Sequence, residues 1–180
     1  MPFGPILRCD GVVLRPPTTE DADGRRVLGY DAEILRMVGV STSVDPSMTT
    51  GRAVAWVASL GKDGEIEWVV EHADRLLGAA RLHSFEPGDK CRYAVGFFDQ
   101  AKLGLGLGRI VTRLVLRHAF DDLGLSEVDL VVLDFNERAQ RCYRSCGFHE
   151  VTRVPSDVVD GDRIANDVVM RVTPSLFTSA

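Results

Sequence analysis

The sequence predicts a single α/β domain on a mixed central sheet: an antiparallel meander, then a strand, helix, strand, helix succession and C-terminal strands, with helices flanking the sheet. Three observations carry this prediction. Apolar or aromatic runs at Glu65–Glu71, Leu76–Ser84 and Cys91–Phe98 are separated by turn-forming residues; the hydrophobic period lengthens to that of a helix after Gly106; and residues 91–133 form one strand, helix, strand crossover. At 180 residues, with no repeat or linker, the chain reads as one domain over 1–180. A chain of this size buries close to ~70% of the surface its unfolded form exposes.

The elements follow in order. Residues 12–15 (Val-Val-Leu-Arg) read as a short strand, and Pro16 to Asp21 as the turn and cap of a helix running to about Gly29. A second helical stretch lies near 31–37, then a Ser/Thr/Pro-containing loop at 41–48. Thr49 or Thr50 caps a third helix carrying Val54, Val57 and Ala58, which Gly61 to Gly64 ends. The meander turns at Ala73-Asp74 and at Glu86 to Asp89. From Gly106 to Leu123 a stripe of Leu107, Ile110, Val111, Leu114, Val115 and His118 marks a long helix, with Arg109, Arg113 and Arg117 beside it. Val128–Leu133 is an apolar strand, Asn136 starts a further helix stopped by Gly147, and strands at 148–154 and 167–172 enclose a polar loop over 155–166. The crossover makes its two strands parallel, so a ligand cleft is expected at their carboxyl ends.

Composition narrows the function classes. With 45% hydrophobic and 26% charged residues the chain is neither collagenous, coiled-coil nor disordered. Twenty-six acidic against 21 basic side chains give a net charge of -5, which disfavours nucleic acid as the main ligand. Cys9, Cys91, Cys142 and Cys146 show neither a zinc spacing nor a secreted disulfide pattern, so no metal is expected. No signal-like or membrane-spanning apolar run occurs, and a cytoplasmic protein without membrane contact is the expectation.

Two segments carry chemistry. Leu103-Gly104-Leu105-Gly106-Leu107-Gly108-Arg109 sits between a strand and a long helix, where glycines let the backbone approach a ligand and successive N–H groups face an anion. It lacks the Gly-Lys-Ser/Thr of a nucleotide P-loop and the G-x-G-x-x-G of a dinucleotide fold. In the second segment Asn136 and Tyr143 stand seven apart, on one face of a helix and ~10 Å apart along its axis.

Together the two segments resemble the signature of the GCN5-related N-acetyltransferases. That family's loop reads Q/R-x-x-G-x-G/A and is followed by N-x-x-A-x-x-x-Y-x-x-x-G-F; Gly106 and Gly108 match the loop, and Asn136, Ala139, Tyr143, Gly147 and Phe148 match the second motif. Leu14-Arg15-Pro16, Glu20-Asp21-Ala22 and the meander are similar to the RimJ/RimL-type branch. The resemblance implies acetyl-CoA as co-substrate and an amine acceptor, either a protein N-terminus or a small molecule, attacking the thioester directly. It implies a pantetheine arm along the strand ending at Phe97 and Phe98, a pyrophosphate on the amides of Leu103 to Arg109, an Asn136 that contacts the pantetheine or holds the thioester end, and Tyr143 as proton donor to the departing thiolate. It also implies a homodimer through the C-terminal strand edge. Leu103 stands where the family has Gln or Arg, and Cys91 to Val95 lacks the strand glutamate many relatives use as a base. Glu67, His83 and Asp134 are then the base candidates, with a water chain as the other route. A non-catalytic acyl-CoA-binding module and an aminoglycoside acetyltransferase are the competing readings, and the acceptor pocket is expected from the helices at 20–60 and the loop at 155–166.

Overall fold

A computed structural model describes residues 3–40, 45, 47–87 and 89–177. Residues 41–44 and 46 of the 41–48 loop, and Gly88 of the second meander turn, lie outside the described residues. The chain runs β1 (Leu7–Cys9), β2 (Val12–Arg15), α1 (Asp21–Leu28), α2 (Ala32–Met37), α3 (Thr50–Ala58), β3 (Ile66–His72), β4 (Arg75–Glu86), β5 (Lys90–Phe97), α4 (Leu107–Arg117), β6 (Glu127–Leu133), α5 (Glu137–Arg144), β7 (His149–Asp160) and β8 (Arg163–Val172). The strands form one sheet in the order β1-β2-β3-β4-β5-β6-β8-β7, with β5 and β6 parallel and the other pairs antiparallel. The mixed sheet, the meander and the parallel crossover are as the sequence predicts.

Two elements differ from the sequence reading, both for reasons of turn chemistry. A strand, β1, precedes residue 12: Cys9 pairs with Val12 around Asp10 (φ 46°) and Gly11 (φ 76°), the two-residue turn with both central φ values positive that closes a tight hairpin. The polar loop over 155–166 is instead the continuation of β7 and β8, which turn at Gly161 (φ 63°) with Asp160 paired to Arg163. Polar, exposed side chains suit this outer hairpin because most of β7 faces solvent.

Alternation along the strands separates the two faces of the sheet. Trp68, Leu82 and Tyr93 point one way, onto Val111, Leu114 and Val115 of α4, and the Trp68 ring meets His118 edge-on at 5.7 Å. Glu67, Arg81 and Ala94, paired across β3, β4 and β5, point the other way, towards α3. An ion-paired corner fixes α1: Arg15 on β2 holds Asp21 at 2.6 Å and Glu71 at 2.6 Å, and Asp21 also accepts the Thr18 N–H at 2.7 Å.

Candidate active site

The site is built where β5 and β6 part. They pair only at Lys90/Glu127, Cys91/Val128 and Arg92/Asp129, although β5 continues on β4 as far as Phe97/Gly78 and β6 on β8 as far as Leu133/Asp167. Beyond Arg92 the two strands therefore open a fork with a bare backbone edge on each side. Phe98 donates its N–H to Leu77 on β4, at 2.9 Å. Alternation then turns the peptide groups of Tyr93, Val95 and Phe97 towards the fork. Of the strand-end pair Phe97 and Phe98, only Phe97 presents its amide there. Val95 joins it, a backbone contribution that strand parity alone could have found.

The glycine loop closes the fork. Gly104 (φ 81°) and Gly106 (φ 80°) adopt the left-handed backbone that favours glycine, and both have open space where a Cβ would stand. Gly106 is the residue before the first turn of α4. Gly108 is different: it lies inside the helix, where a Cβ would come 3.3 Å from Cys142 Sγ and 3.7 Å from the Phe97 ring, so it sets the approach of α4 to α5 and β5. The left-handed turn is thus made by Gly104 and Gly106, while Gly108, at the motif position where the family has Gly or Ala, is an ordinary helical residue. Among the described residues, the N–H groups of Gly104 to Gly108 have no hydrogen-bond acceptor, and the Arg109 side chain beside them is exposed. Five free amides at a helix N-terminus are the donor set that suits an anion.

Tyr143 reaches the same fork from α5. Its ring packs edge-on against Tyr93 at 6.4 Å and Phe148 at 5.8 Å. Tyr93 is fully engaged: Thr112 Oγ1 donates to the Gly108 carbonyl at 2.7 Å, so its single proton is used and the Tyr93 hydroxyl donates to it at 3.1 Å. Tyr143 makes no such bond among the described residues. Burial of the ring pushes its pKa above the ordinary phenol value, so it stays protonated. Asn136 caps α5, its Oδ1 accepting from Ala139 N at 3.2 Å while Nδ2 donates to Met37 O at 3.1 Å. One Nδ2 hydrogen remains for a ligand; the rest of this side chain ties α2 to α5.

On the opposite face a cavity of about 330 Å³ lies between α3 and the meander. Ala79, Ala94 and Gly96 keep its floor low, Trp56, Leu60 and Phe98 give it apolar walls, and Lys62, Glu67 and Arg81 supply charge. Buried Glu67 accepts the Gly61 N–H on Oε2, and its Oε1 lies 4.0 Å from Arg81 Nη1. His83 shares this sheet face two residues along from Arg81. Burial, with Arg81 and Arg92 nearby, lowers its pKa, which leaves it neutral near pH 7. Asp134 is turned elsewhere, held by Arg163 at 3.0 Å and Asn166 at 2.9 Å. No residue of 155–166 lines the cavity. Arg25, Trp56 and Arg81 were not among the residues singled out from sequence, because only the register of the sheet and the packing of α1 on α3 gather them.

The chain matches the acetyltransferase (GNAT) domain family over residues 12–149. It belongs to that family. It is 25% identical over 149 residues to Uncharacterized N-acetyltransferase YoaA of Bacillus subtilis (strain 168), covering 81% of this chain and 84% of that protein. Its fold is shared with an acetyltransferase (GNAT family) from Bacillus anthracis (TM-score 0.76, 10% identity, 93% and 98% of the two chains). It is shared too with spermidine N-acetyltransferase from Vibrio cholerae, solved with CoA and spermine (TM-score 0.74, 20% identity, 92% and 97%). As a GNAT domain the protein is an acetyl-CoA-dependent acyltransferase, and the open fork with its amide cradle suits that co-substrate. No helix among the described residues is long and apolar enough to cross a membrane.

Proposed function

We propose that this GNAT domain, of the RimJ/RimL-type branch, acetylates a primary amine by direct attack in a ternary complex. The observation that carries the reading is the unengaged Tyr143 hydroxyl in a fork that has a bare β5 edge on one side and the glycine loop at its mouth. In this reading Val95 and Phe97 hydrogen-bond the pantetheine through their backbones, with the spare Asn136 hydrogen as a further contact. The amides of Gly104 to Gly108, with Leu103 and Arg109 flanking them, receive the pyrophosphate.

The chemistry then needs little more than positioning and charge stabilisation. An amine entering from the cavity on the α3 side forms the C–N bond as the C–S bond breaks; the proton lost from nitrogen balances the one gained by the thiolate. Tyr143 hydrogen-bonds the sulfur as its charge develops. Glu67 or neutral His83 takes the amine proton, directly or through water, and both stand on the acceptor face as a base must. Release of CoA thiol from acetyl-CoA, followed with a panel of amines, amino acids and N-terminal peptides, tests the reading; no release with any of them, while acetyl-CoA still binds, would leave a non-catalytic acyl-CoA module.

A further inference from the structure

Around the acceptor cavity the balance of charge is positive: Lys62 and Arg81 face Glu67 in its lining, and behind its walls stands a buried cation with no counter-ion among the described residues. Arg25 on α1 is only 4% exposed, yet among the described residues it faces no carboxylate. Its Nη1 donates to the Gly29 carbonyl, while Nε is buried without an acceptor. Three rings box the guanidinium: its Cζ lies 4.2 Å from the Phe98 centroid, 4.9 Å from Tyr30 and 6.0 Å from Trp56. Phe98 and Trp56 also form the apolar walls of the cavity. The cation therefore stands directly behind those walls; the rings stabilise it but carry no net charge, so its positive charge is not neutralised.

The other charges point the same way. Arg81 is shared between Glu65 at 3.4 Å and Glu67 at 4.0 Å, and Lys62 has no ion-pair partner among the described residues. Among the described residues the lining thus holds two cations and one carboxylate, and counting Arg25 behind the wall and Glu65 on Arg81 the balance is three cations to two carboxylates. Burial also lowers the Arg25 pKa, Tyr30 opposing, as happens to a cation short of compensation. A polycation would be repelled here. An amine that brings its own carboxylate would supply what the site lacks, and its ammonium would still find Glu67. The apolar walls ask for a hydrophobic side chain, and about 330 Å³ is near the lower end of ligand cavities, so a small molecule fits.

We infer that the acceptor is a small amino carboxylate with an apolar side chain, its carboxylate drawn by Arg81, Lys62 and the boxed Arg25. This rests on the amine-acetyltransferase reading and narrows it. The fold likeness to a spermidine enzyme does not bear on the acceptor, since that likeness is of fold alone.

The test compares matched pairs that differ only in the carboxylate: leucine with 3-methylbutylamine, methionine with 3-(methylthio)propylamine, and spermidine as the polycation. CoA thiol release gives kcat/KM for each. The amino acids are expected to exceed their decarboxylated partners by roughly tenfold or more, as when a buried polar group is satisfied or left unpaired. Arg81→Gln on the half-buried strand position and Lys62→Gln on an exposed one should shrink that ratio through KM of the amino acid. Arg25→Met should do the same where it folds, and Arg25→Lys should restore part of the preference. If the decarboxylated amines or spermidine are turned over as well as the amino acids, the inference is overturned while amine acetylation stands. If no amine of any kind releases thiol, both fall.

Discussion

Tyr143 and Tyr93 meet edge to face in one fork, yet only Tyr93 has its hydroxyl engaged among the described residues. Tyr93 spends its proton on Thr112, which in turn spends its own on the Gly108 carbonyl. Tyr143 has no hydroxyl partner among the described residues, and if it bonds the departing sulfur as proposed, that bond strengthens as charge develops and acts on the rate and not on ground-state binding. Tyr143→Phe should therefore lower kcat by roughly 10- to 1,000-fold with acetyl-CoA affinity little changed. Because burial raises its pKa, this phenol should add no alkaline limb to the pH–rate profile below about pH 10. Steady-state kinetics of the Phe variant check both points, and a wild-type kcat would return Tyr143 to the role of a packing residue.

At the scale of elements, Gly147 shows how a motif glycine can serve the fold. It ends α5 at φ 99°, and a Cβ there would lie 2.1 Å from the Leu176 carbonyl oxygen. The C-terminal segment thus packs directly on the helix end, and Phe177 reaches the core beside Phe120 at 5.7 Å. Gly147→Ala should destabilise by about 1–3 kcal/mol from backbone strain, with the displaced tail adding to it. A lowered urea midpoint shows this; an unchanged midpoint would mean the tail moves aside at no cost. The meander, α4 and the Asn136–Gly147 segment were legible in sequence because each carries its own periodicity or fixed spacing. The β1–β2 hairpin and the outer extension of β7 and β8 through 155–166 were not, although Asp10-Gly11 and Gly161-Asp162 carried the signal: exposed strands have little apolar alternation. Within LGLGLG the sequence does not say which glycines turn the chain, and only the backbone angles separate Gly104 and Gly106 from Gly108.

Across the whole molecule, the site joins two halves that sequence presents separately. The fork and amide cradle come from local motifs and were legible. The acceptor cavity depends on register across β3, β4 and β5 and on where α1 and α3 settle, so Arg25 and Arg81 could not be read from spacing. The outer strand β7 leaves an unpaired edge with Val151, Val154 and Val159 exposed, a surface suited to self-association. Light scattering at micromolar concentration should give about twice the 19.7 kDa chain mass; the single-chain mass would reject a homodimer.

The central claim is that backbone amides of the glycine loop receive the pyrophosphate of acetyl-CoA. Leu105 offers the cleanest perturbation, since it is 62% exposed and contributes little to the core. Leu105→Asp places a negative charge among those amides without touching Gly104, Gly106 or Gly108. Thermal unfolding with and without acetyl-CoA compares the two proteins, because a ligand that binds only the native state raises Tm. The account predicts a clear upward shift for the wild type, a shift largely lost in Leu105→Asp, and the same Tm for both without ligand. Equal shifts in the two proteins would contradict it and show that the loop is only a turn.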